Sequence, residues 1–226
     1  EQILAELKTL YGANGIDPSL LKKTVLVENM VQIPDRLPIK DEGRSLRVLY
    51  VGRSGVEKRV HLVGRVARLC RERRIAAQFM LAGDTEAAVD APDRGACIFL
   101  GEISDPVALH RLYAEADLLL LTSSREGFPL VVMEAMAHGV VPICTNVGGI
   151  SRHVCHGING FLVANNNEEQ IVNDVVATIR ALSQDRKWLG TLSGKTFEHA
   201  RTCFSPTRFR STYRTILQPG HTGSAR

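Results

Sequence analysis

From Leu46 onward the chain repeats one pattern: a short, unbroken apolar run, a glycine or polar break, then a stretch with apolar residues at helical spacing. The runs are "LRVLYVG" from Leu46, "AQFMLAGD" at 77–84, "ACIFLG" at 96–101, "DLLLLTS" at 117–123 and "VVPICT" at 140–145, with "GFLVA" at 160–164 as a sixth. A strand with one wet face alternates apolar and polar residues, whereas a run apolar throughout is buried on both faces and needs helices above and below it. Residues 58–73 supply one such helix, with Val63, Val66, Ala67 and Cys70 on one side, and 105–116 another, opened by Asp105 as N-cap and Pro106 as first helical residue. A further helix follows the fourth run and stops at Gly139, and two or three more close the chain between 167 and 217. The predicted fold class is α/β: a doubly wound, Rossmann-like parallel sheet.

The flanks read differently. Residues 1–23 suggest a helix, a break at Gly12 and Gly15, and a short helix after Pro18, all as a remnant of a preceding domain. "TVLVENM" at 24–30 reads as a strand and 32–45, with its prolines, as a linker, so that 24–45 leads into a domain spanning 46–200. Residues 201–217 form a C-terminal helix and 218–226 a disordered tail. With 226 residues, 44% hydrophobic and 23% charged, the chain can bury a core unaided. No apolar run is long enough to cross a bilayer and the start does not look like a signal peptide, so a cytoplasmic location is expected. Five cysteines, an odd number without a CxxC pair, argue for buried free thiols in a reducing compartment, with Cys97 and Cys144 inside strands. The net charge of +4 is mild, and "RLCRERR" at 68–74 fits the wet face of a helix better than a nucleic-acid or membrane patch.

In such sheets ligands bind beyond the carboxyl ends of the strands. The residues there are Gly52, Arg53 and Lys58 after the first run, Gly83 and Asp84 after the second, Gly101 after the third, Ser123 to Gly127 after the fourth, and Asn146 to Gly149 after the fifth. Arg53 and Lys58 set two cations on the rim. Gly127 and Phe128 offer backbone amides at a helix N-terminus whose first turn is set by Pro129, which suits a phosphate or diphosphate. Gly148 and Gly149 would let a second backbone segment approach closely. Glu126 and Glu134 lie eight positions apart in an otherwise apolar stretch. Carboxylates are rarely buried without partners. Both could accept hydroxyls from sugars; equally, Glu134 could pair with a core arginine or backbone amide while Glu126 stays exposed. Spacing alone leaves both readings open.

"EGFPLVVMEAMAHGVVPICTNVGGI" at 126–150 closely resembles the E-x7-E region of retaining glycosyltransferases of family 4, which have the GT-B fold. "YVGRSGVEKRVHLV", "MLAGD", "IFLGEI", "LYAEADLLLLTSSREGFP" and "HGINGFLV" fall in that family's order and spacing, and "LVENMVQI" resembles its segment entering the C-terminal domain. The resemblance covers roughly residues 24–185 and implies the C-terminal, donor-binding half of a GT-B enzyme. By motif position, Arg53 and Lys58 would bind the donor diphosphate with help from the Gly127 and Phe128 amides. Glu126 would hold hydroxyls of the transferred sugar, Glu134 the ribose hydroxyls, and the backbone from Gly101 to Ile103 would flank the base; Gly52, Gly148 and Gly149 complete the implied pocket. The implied reaction moves a sugar from a nucleotide-diphosphate sugar to a saccharide or lipid-linked acceptor with retention, in bacterial cell-surface polysaccharide or glycolipid synthesis. The acceptor would bind through a domain outside this chain, and peripheral membrane association would belong to the longer protein.

Two departures stand out. Where the family has an apolar residue, proline and an acid after its Gly-Gly, this chain has "GGISRHV", with Ser151 and Arg152. Where the family commonly has glycine after the rim lysine, this chain has Arg59, expected to face water. The half enzyme is expected to be inactive in transfer, with an exposed apolar patch on its inner face that a second copy could cover. Rival readings are a nucleotide-sugar epimerase or phosphorylase of the same fold, or a non-catalytic nucleotide-sugar-binding domain. No GxGxxG follows the first run, which disfavours a dinucleotide dehydrogenase. No cofactor, metal or nucleic-acid partner is expected: "DTE" at 84–86 is not a D-x-D clamp, and "HVCH" at 153–156 lacks a second ligand pair at suitable spacing and reads as a surface helix. Trp188, Phe204, Phe209 and Tyr213 read as packing residues rather than a stacking platform.

Overall fold

All six apolar runs form strands, and every pairing between them is parallel. The computed structural model describes residues 2–17, 19–20, 25, 27–41 and 43–217. In chain order the elements are α1 (Gln2–Ala13), β1 (Leu46–Val51), α2 (Val60–Glu72), β2 (Ala77–Ala82), α3 (Ala91–Arg94), β3 (Cys97–Gly101), α4 (Pro106–Glu115), β4 (Leu118–Leu121), α5 (Leu130–Ala137), β5 (Val141–Thr145), β6 (Phe161–Val163), α6 (Glu168–Gln184), α7 (Arg186–Cys203) and α8 (Pro206–Ile216). The strands lie in the order β3-β2-β1-β4-β5-β6.

That order places the site. The chain moves outward from β1 through α2 to β2, and outward in the other direction from β4 through α5 to β5. Right-handed crossovers therefore put α2 and α5 on opposite faces, and the loops leaving β1 and β4 diverge over a crevice. α2 packs with α6, and α5 with α7. The central strands meet the expectation of burial on both faces: Leu49, Leu118, Leu119, Leu120 and Ile143 are fully buried. Each such side chain contributes about 1.5–3 kcal/mol of hydrophobic stabilisation.

Four expectations need correction. β3 is an edge strand, so Ile98 and Leu100 reach solvent despite the apolar run. Residues 25 and 27–30 form no strand; the segment instead runs beside the C-terminal end of α7, where the Val31 amide donates to Phe204 O at 3.0 Å. Residues 153–156 are not a surface helix: a 3-10 turn at Ile150–Arg152 precedes them, and His153 is buried. The five cysteines are free, but Cys155 is exposed. The helix after Pro18 falls largely, and the tail at 218–226 wholly, outside the described residues. Among the aromatic residues, Phe204 is fully buried and Phe209 packs on Tyr213. Arg71, Glu72, Arg73 and Arg74 are exposed, as a wet helix face should be, while Arg68 pairs with Glu72 and reaches back to the buried Asp93.

Candidate functional site

The crevice between β1 and β4 gathers the rim residues. The loop after β1 turns through a 3-10 helix at Val56–Lys58 and is stitched to the end of β4: the Ser124 amide donates to Glu57 O at 2.7 Å, and the Thr122 hydroxyl to Lys58 O at 3.2 Å. Lys58 Nζ reaches Glu126 Oε1 at 2.7 Å, and Ser123 Oγ donates to the same oxygen at 2.7 Å. The Glu126 side chain is only 9% exposed, so it is not a loose loop residue. Its second oxygen, Oε2, takes no hydrogen bond from any described residue. Burial, then the negative charges of Glu126 and Glu57, push the Tyr50 phenol up, and burial followed by Glu126 does the same to the Cys144 thiol. Both groups are therefore neutral, and both are buried in the core behind the rim.

Arg53 is exposed at the rim, and among the described residues its guanidinium has no partner; its carbonyl accepts the Tyr50 hydroxyl at 3.0 Å. Gly127 and Phe128 precede α5, and their amides donate to no described residue. Pro129 is the cap residue, one position before the helix rather than inside its first turn (φ −72°, ψ 134°). The open first turn and the helix dipole still face the same loop.

Gly148 brings the second backbone segment in. It has φ +57°, and a Cβ there would stand 1.8 Å from Glu126 O, while the Gly149 amide donates to Gly127 O at 2.6 Å. No residue with a side chain fits at 148 without moving the Glu126 loop. A similar closeness joins β1 and β2: a Cβ on Gly83 (φ +117°) would meet Gly52 O at 2.0 Å. Beyond these strands an open groove of about 420 Å³ is lined by Gly83, Asp84, Thr85, Glu86, Phe99, Gly101 and Glu102. Gly101 and Ile103 flank its β3 side in sequence, with Ile103 half-buried.

Glu134 has a different partner. Its Oε2 accepts the Tyr113 hydroxyl at 2.8 Å, and Tyr113 is a buried residue of α4. Among the described residues neither an arginine nor a backbone amide holds this carboxylate.

The sequence reading missed three sets of contacts. Ser123 shares Glu126 with Lys58. Tyr113 orients Glu134. Arg59 does not face water: Nε donates to Thr122 O at 2.7 Å, and NH2 to Ser123 O at 3.0 Å and Asn165 Oδ1 at 2.7 Å, bracing the end of β4. Arg59 also holds φ 48°. A position where the family resemblance implies glycine is one that can ask for a left-handed residue, and that was the available signal.

A doubly wound sheet with cations, open amides and acids at its switch point defines a nucleotide-binding class of fold. Its backbone superposes on HepE of Anabaena in complex with UDP and glucose with a TM-score of 0.72 at 21% identity, covering 93% of this chain and 60% of that one. Residues 35–187 match the model of the glycosyl transferases group 1 family, and the chain belongs to that family. It is 27% identical over 173 residues to an uncharacterised glycosyltransferase of Methanocaldococcus jannaschii, covering 74% of this chain and 43% of the relative. It is 31% identical over 144 residues to the lipopolysaccharide 1,2-N-acetylglucosaminetransferase of Salmonella typhimurium, covering 57% of this chain and 38% of the relative. The chain thus spans about two-fifths of the length of these curated relatives.

Proposed function

We propose that this chain is the donor-binding domain of a retaining glycosyltransferase that takes a nucleotide-diphosphate sugar and delivers the sugar to a saccharide or lipid-linked acceptor held by a further domain. The observation that carries the reading is the switch-point cluster: Lys58 fixed on Glu126 beside open amides, with the Gly148 backbone pressed against the same loop. An ammonium has three donors. Lys58 can keep Glu126 and still give two hydrogen bonds to a diphosphate, which ties leaving-group binding to the acid that would hold the sugar. Arg53 at the rim adds the second cation, and the α5 amides and dipole add donors that need no reorganisation as charge develops on the departing diphosphate. The unused Oε2 of Glu126 accepts a sugar hydroxyl, the carboxylate of Glu134 the ribose diol, and the groove at Gly101 the base. The Salmonella relative's printed activity supports a place in cell-surface glycan synthesis, and UDP in the HepE complex makes uridine nucleotides the first to try.

Calorimetry tests this directly. The chain is titrated with UDP, GDP, ADP and their sugars in the presence of a chelator. One nucleoside diphosphate should bind without added metal. Lys58→Ala and Glu134→Ala should weaken it, and Glu126→Ala should chiefly weaken the sugar-bearing form. Equal binding by wild type and all three variants would remove the assignment.

A further inference from the structure

Behind the donor loop a second set of side chains converges. His153 follows the turn at Ile150–Arg152, while His199 and Cys203 sit four residues apart on α7 and so on one helix face. His153 Nδ1 and His199 Nε2 stand 3.3 Å apart, and ligand-capable atoms of His153, His199 and Cys203 all lie within 4.8 Å of one another. A nitrogen pair at that separation matches the edge of a tetrahedron built on metal–nitrogen bonds of about 2.0–2.1 Å. The i, i+4 pair on α7 is the second ligand pair that the sequence around "HVCH" lacked. It could not be found by local spacing, because it lies more than forty residues away in the chain.

The surroundings are those of a metal-ligating imidazole. Glu28 Oε1 lies 3.2 Å from His153 Nε2, the nitrogen on the far side from His199. A carboxylate behind an imidazole fixes the proton on that nitrogen and leaves the other lone pair for a metal. Nε2 is buried, and with the ring as it stands neither Glu28 nor any other described residue makes an aligned hydrogen bond to it. Phe128 stacks on His153 at 4.6 Å and Phe204 meets it edge-on at 4.8 Å, so the site has apolar walls. A plain hydrogen bond between the two histidines accounts for the 3.3 Å contact but not for the approach of Cys203, which packs against the core and whose sulfur no described residue hydrogen-bonds. His156 does not take part; its Nδ1 lies 3.1 Å from Leu162 O.

We propose that His153 Nδ1, His199 Nε2 and the Cys203 thiolate form a binding site for a Zn²⁺-class ion, with a fourth position open to water and Glu28 as the positioning residue. The ion displaces the thiol proton to solvent as the metal–sulfur bond forms, and the sulfur closes to about 2.3 Å. One metal would join α7, the turn after Gly149 and the Glu28 segment, and through the Phe128 stack would stiffen the donor loop. The proposal does not depend on which donor the domain binds.

The test uses the chelator-treated chain titrated with Co²⁺ and then Zn²⁺. Wild type should take up one equivalent of Co²⁺ with a thiolate-to-cobalt charge-transfer absorption, and Zn²⁺ should bleach it. Cys203→Ser should abolish that absorption and weaken Zn²⁺ binding at least about 100-fold, as should His199→Gln for affinity. Glu28→Gln should weaken binding about 10–100-fold while keeping the charge-transfer signature. Cys155→Ser, at the exposed cysteine, should change nothing. Far-ultraviolet circular dichroism confirms that each variant is folded. A wild-type chain without the charge-transfer absorption, or a folded Cys203→Ser chain that retains it, overturns the proposal.

Discussion

Asp117 and Glu126 stand at the two ends of β4 and are held in opposite ways. Asp117, at the amino end and 2% exposed, has both oxygens occupied: Oδ2 by Arg44 NH1 at 2.7 Å and the Arg47 amide at 2.8 Å, and Oδ1 by Arg44 NH2 and Arg186 NH2, each at 3.5 Å. Glu126, beyond the carboxyl end, has Lys58 and Ser123 on one oxygen and no described partner on the other. A mostly buried acid with an unused acceptor is costly unless something comes to use it. The floor of the sheet spends its carboxylate on joining the linker, β1 and α7. The rim holds its carboxylate in place and leaves half of it for a ligand.

The largest test of this contrast is Asp117→Ala. Removing one partner of a buried ion pair leaves Arg44 and Arg186 uncompensated, which should cost about 3–5 kcal/mol in urea unfolding. Affinity of the folded protein for its nucleoside diphosphate should not change. If affinity falls as well, floor and rim are not separate. Lys58→Ala should do the reverse. Loss of a charged hydrogen bond to the diphosphate should lower affinity about 10–100-fold, equivalent to about 1.4–2.7 kcal/mol. Stability should fall by less than for Asp117→Ala, because Ser123 still holds Glu126.

A smaller, pH-dependent effect belongs to the floor. Lys40 Nζ donates to Gly139 O at 2.9 Å, and burial, reinforced by Arg44 and Arg186 and opposed by Asp117, lowers its pKa to about 7. The unfolded chain keeps this proton up to about 10.5, so between pH 7 and 10.5 it binds more protons than the folded chain. Stability from this group therefore rises with pH across that window, and the full penalty applies below it. Lys40→Met should stabilise the protein at pH 6 by about 1–2 kcal/mol, discounted because the side chain is partly exposed, and by less at pH 9. Urea midpoints at the two pH values give the comparison; an equal gain at both would assign the effect to packing instead.

Much of this was legible in the sequence for a local reason. The continuous apolar runs of β1, β4 and β5 state their own burial, and the glycines at 148 and 149 announced a close backbone approach that the structure bears out. What could not be read depends on which distant residues meet. β3 has the same apolar composition as the central strands, and only the strand order makes it an edge. The Lys58–Glu126 pair closes over 68 residues, and the Arg59 brace reaches Asn165 across 106, so neither leaves a mark in spacing. Arg59 also shows how a departure misleads: read as an extra charge it points to water, whereas read as a side chain at a left-handed position it points to a constrained turn.

Glu134 decides where the rim ends, and the smallest of the expected effects bears on it. Tyr113 is buried, and burial followed by the charge of Glu134 pushes its phenol well up, so it stays a donor at any working pH. It supplies one proton to Oε2, and no described residue occupies Oε1. That is the Glu126 pattern, one oxygen anchored and one left over, rather than the Asp117 pattern. Tyr113→Phe should cost about 1 kcal/mol of stability in either case, since one neutral-to-charged hydrogen bond is lost. If Glu134 serves a ribose, freeing its carboxylate should also lower nucleoside diphosphate affinity several-fold, roughly 1 kcal/mol or less, while inorganic pyrophosphate binds as before. An unchanged affinity for the nucleotide, with stability alone reduced, would place Glu134 among the structural acids and end the rim at Glu126.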